Sequence, residues 1–174
     1  MSNSFSTKIK NLGSGKEVVH NTLLRMKQLI LDGAKNWEVR YAASQLVKDI
    51  PERDDFKEVN AIFKYVQHYA RYTKDPYRVE LLHSPEISLR LIREDGYAAL
   101  DCDDYTILGL SLAKALGYQV ALKVVSTQPS RKFHHVYGLV NTQDRWYPFD
   151  AIRRTVPLGW ESPNITRQAM MGID

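Results

Sequence analysis

A single cysteine, Cys102, stands in a chain of 174 residues. One thiol cannot form an internal disulfide, nor anchor a thiolate-rich zinc site unaided, so whatever Cys102 does it does as a thiol. Long apolar runs are also missing, and nothing approaches the ~20 residues needed to cross a bilayer. The opening "MSNSFSTKIKNLGSGK" lacks the apolar middle segment of a secretion signal. These two absences predict a cytoplasmic protein with no membrane partner. Charge of one sign is not in large excess either: 24 Lys and Arg face 20 Asp and Glu, for a net charge of +4. The basic residues are scattered rather than striped, which argues against a nucleic-acid partner. No HExxH or similarly tight ligand pattern occurs, and there is no internal repeat, low-complexity segment or βαβ alternation.

What is there has the make-up of a globular domain, with 44% apolar and 25% charged residues and enough length for one buried core. Residues 1–16, rich in Ser, Asn, Lys and Gly, read as a flexible N-terminal arm, and 17–174 as a single domain. Helices are predicted at about 17–32, ended by Asp32 and Gly33, and at about 36–49, stopped before Pro51. In "DDFKEVNAIFKYVQHYARY", Phe56, Val59, Ile62, Phe63, Val66 and Tyr69 recur at steps of three and four, which makes one core-facing stripe. "SPEISLRLIRED" offers Ser84 as a cap, Pro85 at the first helical position and Glu86 at the positive end of the dipole.

The segment from Cys102 to Leu116 is apolar nearly all round before Gly117 ends it, so it belongs at the centre. "YQVALKVVS", "HHVYGLVN" and "RWYPFDA" have the alternation and β-branching of antiparallel strands, with "NTQD" as the tight turn between the last two. Helices first and strands second give an α+β fold, its helices packed on one side of a small antiparallel sheet. The tail "PLGWESPNITRQAMMGID", broken by Pro157, Gly159 and Pro163, reads as an extended closing segment.

Cys102 falls at the N-terminus of the central helix, in "LDCDDYTILGLSLAKALG", where unpaired N–H groups and the dipole favour thiolate. A cysteine nucleophile also needs an imidazole to carry its proton and a third group to orient that imidazole. His134 and His135 open one strand and Asp150 ends the next, so pairing of the two strands can bring a histidine and the carboxylate together. Singly, each has a plainer reading: a small buried hydrophobe, a surface histidine pair, a turn-forming aspartate. Asp101, Asp103 and Asp104 suit a helix N-terminus but would raise the thiol pKa if they pointed at it. Asp103 and Asp104 read better as caps of the helix amides and ties to the neighbouring strand.

The pattern "DGYAALDCDDYTILGLSLAKALGYQVALKVV", then "HHVYGLV", then "RWYPFDA", resembles the core of the transglutaminase-like superfamily, within the wider papain-like fold of cysteine nucleophiles. The resemblance covers roughly residues 54 to 151. It implies Cys102 as nucleophile, His135 as base and Asp150 as orienting acid, because Tyr137 takes the aromatic place two after the histidine and Trp146 the tryptophan place. His134 and Asp101 then flank the site. "ARYTKD" puts Tyr72 where the family tends to have an aromatic near the oxyanion. Leu100 stands where the family often has Gly before Asp-Cys, and Ala151 where Pro commonly follows the acid; neither change removes a catalytic atom.

The resemblance implies attack of Cys102 on an amide or ester carbonyl, with no cofactor and no metal. The thioester would be resolved by water in a protease or amidase, or by an amine in a transglutaminase. Hydrolysis is favoured, because so small a chain has little left to exclude water or hold two protein substrates; the expected partner is a protein or peptide substrate. Compact proteins of this kind resemble ones encoded by phages and prophages as well as by bacteria. A non-enzymatic assembly or binding module with virion or tail partners is therefore the alternative, placed in the host cytoplasm or the virion. A metal site made from Asp101, Asp103, Asp104, His134, His135 and Asp150 is a third reading, less favoured because the thiol mechanism already accounts for the spacing.

Overall fold

The structure, a computed structural model, describes residues 7–10, 16–74, 79–128, 132–143 and 145–174. Four helices form one layer: α1 (Lys16–Lys35), α2 (Trp37–Val47), α3 (Asp55–Tyr69) and α4 (Pro85–Asp95). The fifth, α5 (Cys102–Ala115), packs against all four and, on its other side, against the sheet. The local signals explain the helix ends. Asn36 accepts the Glu38 N–H at 2.8 Å and Asp54 the Lys57 N–H at 3.2 Å, so two orphan donors are satisfied by side chains. Pro85 opens α4, and Gly96, at φ 80, closes it in the left-handed conformation that glycine adopts without penalty.

The main sheet is antiparallel, in the order β7 (Trp146–Phe149), β6 (His135–Asn141), β5 (Gln119–Ser126), β8 (Arg167–Ile173). Two short pairs lie apart from it. β1 (Thr7–Lys10) is antiparallel to β3 (Val79–Leu82), and β2 (Ala70–Tyr72) is parallel to β4 (Ala98–Leu100). The α+β class and the central buried cysteine-bearing helix are as the sequence predicts. Eleven successive residues, Asp103 to Ala113, are buried along α5, and its leucines and isoleucine at 107, 108, 110 and 112 are fully so. Each such side chain contributes about 1.5–3 kcal/mol through loss of apolar surface to water.

Two glycines set how closely α5 approaches the sheet. A Cβ on Gly109 would run into the Phe149 ring, and one on Gly138 of β6 into the Leu110 side chain. Phe149 cannot withdraw, because it is 1% exposed and meets Phe63 edge-on with ring centroids 5.1 Å apart. Alanine favours a helix over glycine by about 0.8–1.0 kcal/mol, yet Gly109→Ala is expected to destabilise by roughly 1–3 kcal/mol through overpacking. Thermal unfolding should then show Tm lower by about 2–12 °C for a chain of this size.

Two expectations, those for Gly33 and Phe56, are corrected. Gly33 does not end α1, which continues to Lys35; its Cβ would strike Pro85, so the glycine serves the contact between α1 and α4. Phe56, expected on the core stripe, is 44% exposed and packs instead on the Tyr147 ring with centroids 5.3 Å apart. The closing segment ends as β8, an edge strand along β5. Within the expected arm, Thr7–Lys10 pairs with β3, and residues 1–6 and 11–15 lie outside the described residues. In the "NTQD" turn, Gln143 adopts φ 71 and the Thr142 N–H reaches Arg145 O at 3.2 Å, while position 144 is outside the described residues. Among the described residues, no helix is long and apolar enough to cross a membrane.

Candidate active site

The first turn of α5 is built by Asp101. Its Oδ1 accepts the N–H groups of Asp103 at 3.0 Å and Asp104 at 3.1 Å. The Cys102 N–H, at the first helical position, takes no acceptor among the described residues. At the positive helix end, a donor left over in this way can serve a developing oxyanion. Thr106, one turn on, places its Oγ1 2.8 Å from Cys102 O and 3.3 Å from Val136 O. This hydroxyl ties the start of α5 to the start of β6, one residue after His135.

The other half comes from the sheet. Register pairs Gly138 with Phe149, so Asp150, the residue after β7, falls beside the first residues of β6. There His135 Nε2 lies 2.8 Å from Asp150 Oδ2. The carboxylate accepts the Nε2–H, which leaves Nδ1 as the imidazole's free base, without a protein partner among the described residues. Cys102 and His135 both line one cavity of about 280 Å³, together with Asp101, Asp103, His134 and Phe133. Its far wall is the N-terminal half of α1, through Val18, Val19, Thr22, Leu23 and Met26.

No hydrogen bond joins the sulfur to the imidazole. Cys102 Sγ instead donates to Asp103 Oδ1 at 3.4 Å. Burial pushes the Cys102 thiol pKa up, and the charges of Asp103 and Asp101 push it further, against a smaller opposing contribution from a backbone hydrogen bond of Val136. These effects favour thiol over thiolate at Cys102, beside an imidazole hydrogen-bonded to a carboxylate. Burial first, and then the two carboxylates, oppose the preference for thiolate that a helix N-terminus gives.

The remaining acidic and aromatic expectations divide. Asp101, not Asp103 or Asp104, is the helix cap. Asp103 faces the thiol, and Asp104, 1% exposed, takes the His83 N–H at 2.7 Å and the His83 Nδ1 at 2.6 Å. The expected tie to a neighbouring strand is made by Asp104, through the residue that follows β3. Tyr72 ends β2 opposite Leu100, 48% exposed and outside the cavity wall. Its phenol is pushed up by burial first and then by Cys102 and the charges of Asp101 and Asp103, which puts it within electrostatic reach of the thiol.

His134 is exposed on the cavity rim, its Nε2 3.1 Å from Thr127 Oγ1. Trp146 is not at the site. It pairs with Asn141, at the opposite end of β6 from His135, because the side of β7 that carries Asp150 toward the imidazole carries its first residue away. Of the six residues considered for a metal, Asp104 is engaged by His83 and Asp150 by His135. No group of three or more such side chains is arranged to hold an ion among the described residues.

No family model and no curated protein sequence matches the chain at a significant level. Among solved structures it is similar to a candidate cysteine protease from Cytophaga hutchinsonii, with a TM-score of 0.50 and 16% identity. The match covers 78% of this chain and 46% of that one, so the chain spans less than half the length of the protein it resembles. At that identity the likeness concerns the fold alone. The fold is α+β, with a small antiparallel sheet behind a central helix, in keeping with a papain-like core.

Proposed function

We propose that the chain is a cysteine-nucleophile acyl-transfer enzyme of the transglutaminase-like kind, acting on amide bonds through a thioester, by hydrolysis rather than cross-linking. The observation that carries this reading is His135, bonded to Asp150 at 2.8 Å and lining the same cavity as Cys102. For attack, the Cys102 sulfur exchanges its bond to Asp103 for one to Nδ1 of His135. His135 then takes the thiol proton as sulfur bonds to the carbonyl carbon, and the Cys102 N–H holds the oxyanion. As the C–N bond breaks, His135 returns that proton to the departing amine, and Asp150 stabilises the imidazolium in between. Water activated by the same Nδ1 releases the acid and restores the thiol.

The cavity beside Cys102 is open to water, which favours hydrolysis. The test uses p-nitrophenyl acetate followed by intact mass. One acetyl group should appear on Cys102 and clear with time, and casein should be cleaved without incorporating an added primary amine. Amine incorporation would move the reading to cross-linking. An inert thiol would favour a binding module, for which the exposed Trp37 and Tyr41, 71% and 56% accessible, are the surface feature.

A further inference from the structure

The outer face of the sheet, away from α5, buries a charge. Lys123 sits mid-strand in β5 with only 7% of its surface exposed, and its ammonium meets Glu161 Oε1 at 2.6 Å. Tyr137, the register partner of Lys123 on β6, donates its hydroxyl to the same Glu161 oxygen. The Tyr137 ring lies 5.6 Å from the His135 imidazole, tilted by 33°. Strand alternation puts both rings on one face, two residues apart. Glu161 comes from the segment between Trp160 and β8, whose Ile165 packs on the same patch beside Ala121, Val125 and Leu139.

Stability alone does not account for this arrangement. A buried ion pair can often be replaced by apolar side chains of similar volume at no loss, and the patch around it is already apolar. What the pair supplies that apolar residues cannot is a fixed acceptor for the Tyr137 hydroxyl. Burial, then the bond to Glu161 and its charge, raise the phenol pKa, so Tyr137 remains a donor through the neutral range. Lys123 in turn holds the Glu161 carboxylate in place at 2.6 Å, with its ammonium 5.8 Å from the Tyr137 ring centre.

We propose that Glu161, held by Lys123, anchors Tyr137 as a brace that keeps the His135 ring in the orientation giving Nε2–H to Asp150 and Nδ1 to the cavity. Tyr137 and Glu161 are then positioning residues, and the segment ahead of β8 is part of the working site. The proposal rests on the acyl-transfer reading above for its consequence in rate, but its geometric content can be read without activity. Misplacing the base by a fraction of its reach costs about 10- to 100-fold in rate.

The experiment pairs two readouts on the full chain. Acylation of Cys102 by p-nitrophenyl acetate is followed at fixed pH, and the His135 tautomer is read from its ring nitrogen shifts by NMR. Tyr137→Leu, which removes the ring, should slow acylation by about 10- to 100-fold and let the Nδ1–H tautomer appear. Tyr137→Phe, which keeps the ring and loses the anchor, should fall in between. Glu161→Gln leaves Lys123 buried without its counter-charge and endangers folding, so the anchor is also removed by the Lys123→Met, Glu161→Leu double variant, which should match Tyr137→Phe. Adding Tyr137→Phe to that double variant should bring no further loss, since both delete one bond. If the folded variants keep the wild-type tautomer and acylate within twofold of wild type, the brace is overturned. If wild-type acylation does not depend on His135 at all, the acyl-transfer reading fails instead, and the tautomer measurement still decides the brace.

Discussion

Acylation of Cys102 by p-nitrophenyl acetate should fall by about 10²–10⁴ in His135→Ala, the range a positioned general base contributes. The expectation is near the upper end here, because the thiol starts protonated: burial and the two neighbouring carboxylates push its pKa up. A cysteine with a depressed pKa already exists partly as thiolate and loses less when its base is removed. With the pKa raised, nearly every attack has to pass a proton to a base, and Nδ1 of His135 is the acceptor on the cavity wall. Cys102→Ala should reduce the burst of p-nitrophenolate to the solution background. Asp150→Asn should cost less than the loss of His135, since the imidazole remains while its tautomer and its counter-charge do not. A His135→Ala enzyme that acylates within threefold of wild type would show that the thiol is activated by some other group.

The parts of this arrangement legible in the sequence are those that local chemistry decides. A helix apolar nearly all round could only be central, and α5 is. That a carboxylate would cap its first turn was legible too, but the residue was not: Asp101 caps, where Asp103 and Asp104 were expected to. The meeting of His135 with Asp150 was readable because both sit at the ends of neighbouring strands joined by a short turn, so register alone brings them together.

What was not legible depends on side-chain direction or on contacts across the chain. Asp103 and Asp104 are adjacent, chemically identical and both in the first turn, yet one meets the thiol and the other meets His83. The 100° step of the helix sends them to different neighbours, and only the fold says which neighbours those are. Gly33 carries the same letter whether it ends a helix or admits Pro85 of another. Trp146 matched a family position and still lies at the wrong end of β6, because a motif fixes order along a strand, not distance from a site. Lys123 was the one signal passed over: a lysine inside "VALKVV" interrupts an otherwise apolar strand, and such an interruption asks for a buried partner. That partner, Glu161, is 38 positions away in a segment whose only sequence features were its prolines and glycine.

The hydrogen bond from Cys102 to Asp103 carries the second large effect. Because the thiol pKa is raised in the folded protein, the thiolate fraction at neutral pH is small and grows only as the solution becomes alkaline. Iodoacetamide reacts with thiolate, so native Cys102 should be alkylated more slowly at pH 7 than a free cysteine, with a rate that climbs through the alkaline range. Asp103→Asn keeps the size of the side chain and removes its charge. An amide can still accept the S–H bond, so the thiol loses electrostatic opposition to ionising without losing a neighbour. Burial, the largest cause, is untouched, and the thiol stays above its ordinary value.

The thiolate fraction at fixed pH rises as the pKa falls, so alkylation of Asp103→Asn at pH 7 should be faster than that of wild type. The sign for stability runs the same way. A folded-state pKa above the unfolded one stabilises the fold fully below the unfolded value, and that contribution is lost as pH rises toward the folded one. Asp103→Asn should therefore lose less stability than wild type between pH 9 and the alkaline limit of folding. Rate–pH curves for the two proteins that superimpose would show that Asp103 does not hold the thiol. A curve displaced to lower pH, with acylation by p-nitrophenyl acetate rising in step, would show that this carboxylate restrains the nucleophile until the side chain turns to His135.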